Sequence, residues 1–330
     1  MKHAKIMFAR KTATLAILAI LLYFSTIKYC NPTSTLTLTL NIDKATYNVG
    51  DTITISSSVT KDGMQLTDAL VAIEVDFPNG DPYVVRTVQT GEIQQQTWFV
   101  EIKTLYTCDS YGNPQNLFKK GKYMYIALEI KNNSPSPRNV QIPIYIQFSN
   151  NVPFKALYHP LSLEPEQEAQ IMFSLEIPSN AVSGEATIFS SAYSDLPENL
   201  GAPYCPERKT FFYIETTYPP AQQQPQFSNI TFNLPKTNCV LGTYIIHGSA
   251  TQQLNVAITT KTFNVILVGD INGDLIVETK DVSIVCRNYG KKESSPGWNP
   301  TIDLNNDGII DTRDVSIVCK NYGKSGILPS

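Results

Sequence analysis

Two acidic twelve-residue segments in one register restrict this chain more than any other feature of it. Asp270-Ile-Asn-Gly-Asp-Leu-Ile-Val-Glu-Thr-Lys-Asp281 recurs as Asp303-Leu-Asn-Asn-Asp-Gly-Ile-Ile-Asp-Thr-Arg-Asp314, an offset of 33 residues from Asp270 to Asp303. Each copy is followed at the same distance by Val-Ser-Ile-Val-Cys and then Tyr-Gly, which places Cys286 and Gly290 in the first and Cys319 and Gly323 in the second. A lone Asp/Asn-rich stretch is usually a solvated turn. Duplication with register kept through the following residues argues instead for a shared task.

That task is read from the oxygens. Calcium takes roughly six to eight oxygen ligands, which a tight loop supplies from positions 1, 3, 5, 7, 9 and 12. In the first loop these are Asp270, Asn272, Asp274, the carbonyl of Ile276, Glu278 and Asp281; in the second, Asp303, Asn305, Asp307, the carbonyl of Ile309, Asp311 and Asp314. Magnesium demands fewer ligands and near-octahedral geometry, so calcium fits better, as two ions. Position 6 turns sharply and favours glycine. Gly308 meets that need and Leu275 does not, at a cost of roughly 1 kcal/mol, so the second loop is expected to bind more tightly. After each loop the spacing i, i+3, i+4, i+7 predicts a helix with Val282, Val285, Cys286 and Tyr289 on its buried face. The two cysteines are thereby expected between the helices, with a bond joining them left open.

The paired loops, each lacking a preceding helix, resemble the type I dockerin family. The resemblance implies a small α-helical module over 268–325 that folds around two calcium ions and docks to cohesin-like modules. It also implies that loop positions 10 and 11, here Thr279 and Lys280 in the first copy and Thr312 and Arg313 in the second, help to set partner choice. Leu275 departs from the family pattern, and Trp298 in the connection is expected to pack against the helices.

The rest of the chain reads as mostly β. Thr35 to Leu40 alternates threonine with leucine, the period-2 signature of a strand with one buried face. Short apolar stretches separated by turns such as Asp62-Gly63 and Asn79-Gly80 continue the pattern. The expected architecture is two tandem sandwiches at 34–105 and 106–217, then a Pro/Gln-rich connection with a partial β unit at 218–267, which is too short to stand alone and must borrow strands. Both sandwiches resemble immunoglobulin-like domains of prokaryotic surface proteins, the first also resembling the macroglobulin type, through Tyr47-x-Val49-Gly50-Asp51 and the Pro78-Asn79-Gly80 hairpin. A half-length echo relates Gly184, Ala192 and Phe212 to Gly242, Ala250 and Phe263.

Lys2, Lys5, Arg10 and Lys11 precede an uncharged run from Thr12 to Ile27, so residues 1–30 read as a signal peptide or an N-terminal membrane anchor, with the remainder outside the cell. The expected location is the extracellular face of the membrane, or secretion. Cysteines in an exported chain can pair, and a Cys108–Cys205 bridge is left open. Asn132 and Asn229 stand in N-x-[ST] sequons. Lys plus Arg number 26 against 29 Asp plus Glu, a balance that excludes nucleic acid as an obvious partner.

No enzyme signature is found. Glu164, Glu166 and Glu168 read as a solvated turn rather than a glycosidase pair. His159 and His247 have no serine or cysteine motif nearby and read as strand or surface residues. The expectation is a non-catalytic binding or scaffold protein docking a cohesin-like module or another surface protein. The alternative is a dockerin-bearing accessory component, less readily a hydrolase, of extracellular polysaccharide breakdown.

Overall fold

The alternation that opens the β region becomes β1 (Leu36–Ile42), whose Leu38 and Leu40 turn inward while the threonines face solvent. The computed structural model describes residues 35–91, 97–216, 229–252 and 255–329. The N-terminal segment 1–30 with Cys30, and the Pro/Gln-rich tract, lie outside the described residues. Among those described, no helix is long and apolar enough to cross a membrane.

The chain continues through β2 (Thr46–Asn48), β3 (Thr52–Lys61), β4 (Met64–Gln65), β5 (Leu70–Asp76) and β6 (Pro82–Gln89). A second run comprises β7 (Val100–Cys108), β8 (Leu117–Phe118), β9 (Tyr123–Asn132), β10 (Arg138–Phe148), β11 (Pro153–Leu163), β12 (Glu168–Glu176), β13 (Gly184–Ser190) and β14 (Arg208–Ile214). Then follow β15 (Asn229–Asn233), β16 (Cys239–Val240), β17 (Gly242–Gln252) and β18 (Asn255–Ile266).

Strand pairing corrects the expected partition. β15 joins β3, and β17 lies between β18 and β5, so the strands within 229–266 are integral to the first sandwich, as a segment too short to stand alone requires. Val100–Cys108, expected to close the first unit at 105, pairs with β9 and belongs to the second. The physical reason is burial: β5 is buried at every position, so its backbone needs a partner on each side, and β6 and β17 supply them. Ig-like topology aside, the two sandwiches repeat one plan. In the first, β1-β3-β15, with the short β4 also paired to β3, packs on β2-β18-β17-β5-β6; in the second, β7-β9-β12 packs on β8-β14-β13-β10-β11. β2 runs parallel to β18, as β8 does to β14. The second sandwich is thus inserted into the first between β6 and β15. The echo in the sequence is real at this level: Gly184 and Gly242 open β13 and β17 at φ +125° and +126°, and Phe212 and Phe263 are both buried.

The seam between the sandwiches is packed. Tyr145, Ala156, Phe189 and Tyr193 of the inserted sandwich belong to the hydrophobic core of the first. Arg86 on β6 lies 3.7 Å over the Phe189 ring and pairs with Glu207 at 2.9 Å, and Glu207 also accepts the Thr87 amide. A largely desolvated pair with every oxygen engaged fixes how the two halves meet.

The five cysteines described are all free. Cys108 sits against Met172 and Cys205 against Ser191, so the bridge left open between them does not form. Asn132 is fully buried and its amide donates to the carbonyls of Ser136, Leu163 and Glu164, which takes that sequon out of reach of modification.

Candidate metal centre and docking face

Two helices close the chain, α1 (Thr279–Arg287) and α2 (Thr312–Asn321), each starting from the end of an acidic loop. Loop position 9 is the helix N-cap and position 12 the third helical residue, so one acidic pair both ends the loop and starts the helix. Asp281 and Asp314 are fully buried. Asp281 accepts backbone N–H bonds from Ile271, Asn272 and Glu278, and Asp314 accepts them from Leu304, Asn305 and Asp311, all between 2.8 and 3.3 Å. Asp270 takes the amides of Gly273, Asp274 and Leu275, and Asp303 those of Asp307 and Gly308.

Both loops share one backbone. Position 6 is left-handed in each, Leu275 at φ +69° and Gly308 at +84°, and so is position 4, Gly273 at +76° and Asn306 at +56°. Each loop therefore has one glycine and one residue with a side chain at these points. Asparagine tolerates this region well and leucine does not. The second left-handed position escaped the sequence reading, though Gly273 and Asn306 were its visible signal.

Each loop is braced by the segment that follows the other repeat's helix. Val277 donates to Lys324 and Gly326 to Leu275; in the second loop, Ile310 donates to Lys291 and Glu293 to Gly308. This ladder leaves the position-7 carbonyls of Ile276 and Ile309 out of the pairing. The donors at all six positions are oxygens, as a hard cation requires, so the residues fit calcium. Asn272 hydrogen-bonds Asp274 and holds its carboxyl below the ordinary value; Asn305 does the same for Asp307. The position-11 cations also reach these carboxylates, Lys280 at 3.4 Å from Asp274 and Arg313 at 2.6 Å from Asp307. Lys280 lies 2.6 Å from Glu278, which raises its own pKa.

The helix faces correct one expectation. The core between the helices is Val285, Val318, Val277, Ile302 and Ile310, with Val282, Val315 and Trp298 packed on it. Cys286 and Cys319 are exposed, as are Tyr289 and Tyr322. The buried stripe runs instead through Asp281, Val282 and Val285, because the position-12 carboxylates need the inward slot to cap the loops. Thr279, Lys280, Thr312 and Arg313 are all solvent-exposed. Thr279 meets the Tyr322 hydroxyl at 2.9 Å, whereas Thr312 and Tyr289 make no such bond among the described residues.

Past α2, β19 (Gly326–Ile327) pairs in parallel with β16 of the first sandwich. Asn48 adds two bonds, donating to Asn321 and accepting from Val268. The helical module is therefore fastened to the sandwich at both of its ends.

Residues 268–322 match the family model of the dockerin type I domain. Dockerin domains bind calcium and dock onto cohesin modules in a calcium-dependent manner. No curated protein matches the chain. Among solved structures, an alkylpurine DNA glycosylase of Pseudomonas fluorescens, AlkC bound to abasic-site DNA, aligns at 11% identity and a TM-score of 0.28, over 37% of this chain and 32% of its own. A CARDB domain from Pyrococcus furiosus in complex with di-metal ions aligns at 14% and 0.26, over 36% of this chain and 97% of its own. The C-terminal domain of wzt aligns at 10% and 0.31, over 38% and 78%. The chain thus spans about a third of the glycosylase it matches, and scores at this level carry no argument about fold or function.

Proposed function

We propose that this chain is an exported, non-catalytic scaffold of the cell surface, whose two Ig-like sandwiches hold out a dockerin module for calcium-dependent capture of a cohesin-like partner. The ions are held by Asp270, Asn272, Asp274, Ile276, Glu278 and Asp281 in the weaker loop and by Asp303, Asn305, Asp307, Ile309, Asp311 and Asp314 in the tighter one. Calcium replaces the cation contacts on Asp274 and Asp307 and stiffens the N-termini of α1 and α2, where Thr279, Lys280, Thr312 and Arg313 meet the partner.

The observation that carries this reading is the exposure of all four of those residues at the N-termini of two helices that pack on one shared core. The repeated plan of a three-strand path over five strands, with a short parallel strand at one edge of the larger sheet, supports the Ig-like reading of both sandwiches. The test is capture of immobilised cohesin-like modules by the full chain with calcium and with a chelator. Calcium-dependent capture that Thr312→Ala with Arg313→Ala weakens supports docking. Capture by none of the modules leaves a calcium cap and overturns it. Turnover of a polysaccharide panel by the purified chain would overturn the non-catalytic part separately.

A further inference from the structure

A second constellation lies on the far side of the first sandwich's five-stranded sheet from its core. Leu70, Ala72, Glu74 and Asp76 alternate on that outer face of β5, and all four are buried, because the loop around the 3-10 turn Pro197–Asn199 of the inserted sandwich covers them. Ser249 on β17 donates to the Gly201 carbonyl of that loop. In the antiparallel register His247 stands directly opposite Glu74, and so on the same face. Its Nε2 is 3.3 Å from Asp76 Oδ2. Glu198, on the turn itself, brings a carboxylate oxygen such that one ligand atom from each of Asp76, Glu198 and His247 lies within 4.8 Å of the others.

The polar inventory of this pocket does not close. Glu74 and Asp76 are each 3% exposed, yet Glu74 Oε2 and Asp76 Oδ1 have no hydrogen-bond partner. Among the described residues no lysine or arginine pairs with either. Buried carboxylate oxygens are expensive unless they are hydrogen-bonded, paired or bound to a metal. Three acidic groups and one imidazole thus converge with two buried carboxyl oxygens left open.

We propose that Asp76, Glu198 and His247 bind one divalent transition-metal ion of the zinc type at the seam of the two sandwiches, with Glu74 behind them. The imidazole selects against calcium and magnesium, which favour oxygen alone. Two ligands each about 2.1 Å from a tetrahedral zinc lie about 3.4 Å apart, close to the observed His247–Asp76 spacing. Three protein ligands leave a fourth position for water or for a group from outside. The ion ties β5 and β17 of one sandwich to the 3-10 turn of the other, which makes the seam metal-dependent.

Burial, with neighbouring acids adding to it, lifts the Glu74 carboxyl to about 8 and that of Asp76 to about 7, and burial lowers His247.

The test is calorimetric titration of zinc into the full chain saturated with calcium, so that the dockerin loops are filled. The expected result is one zinc per chain. Glu198→Gln, on the exposed turn, weakens that binding by about tenfold or more without changing the unfolding midpoint of the zinc-free chain, and His247→Gln weakens it at least as much. Zinc uptake that is absent from the natural chain, or that survives both substitutions because the exposed Cys286 and Cys319 hold it, overturns the proposal.

Discussion

The two calcium loops have one backbone and two sequences. Each turns left-handed at positions 4 and 6, and each is braced by the chain after the other's helix, yet the side-chain-bearing residue in this region is Leu275 in the first and Asn306 in the second. Ligand type is the same at five of the six positions, and position 9 differs only as Glu278 against Asp311. What separates the loops is the strain that the first must carry at position 6. The expected consequence is a pair of affinities set as much by what the backbone tolerates as by how many oxygens it offers.

The largest effect tests what the loops share. Asp281→Ala and Asp314→Ala each remove a buried carboxylate that ends three backbone donors, at a cost of roughly 3–5 kcal/mol to the module. Each is expected to abolish calcium binding in its own loop, seen as loss of the weaker heat in the first variant and of the stronger in the second. Equal loss of both heats in either variant would show that the loops do not bind separately.

The next test addresses the difference itself. Leu275→Gly relieves about 1 kcal/mol of strain and tightens the first loop about fivefold, while Gly308→Leu loosens the second by a similar factor. Together the two exchanges invert the order of affinities. If Leu275→Gly leaves the first loop unchanged, strain is not what distinguishes it.

The smallest effect concerns the position-11 cations. Arg313→Ala frees Asp307 and Lys280→Ala frees Asp274, each raising calcium affinity about twofold at low salt, with the gain fading as salt screens it. At position 5 the Arg313 variant is expected to gain more, since its contact with Asp307 is 0.8 Å shorter than that of Lys280 with Asp274, while the Lys280 variant also frees Glu278. A loss of affinity in either variant would mean that the cation organises the loop rather than competing in it.

The loops were legible in the sequence because metal geometry fixes ligand spacing along a short piece of chain. Their exposed helix face was not. Counting apolar residues assigned Cys286 and Tyr289 to the interior, while the interior slot belongs to Asp281, a residue that no hydrophobic pattern selects. Individual strands could be read from alternation, as at Leu38 and Leu40. Their pairing could not, since β5 finds β17 across the whole inserted sandwich and nothing local encodes so distant a partner. The same distance hid Asp76, Glu198 and His247, which come from three elements and converge only after both sandwiches have formed. His247, read from its surroundings in the chain as a strand or surface residue, is on a strand and faces two buried acids.

The parallel pairing of β19 with β16 bears on how load passes through the molecule. A captured partner that pulls on the dockerin module pulls against two attachments, the covalent joint at Val268 and the short β-clamp beyond α2. Both end on the first sandwich, so tension is shared by two routes and the module resists being swung about a single hinge. The tether is a bracket, and the direction from which a partner must arrive is built into it.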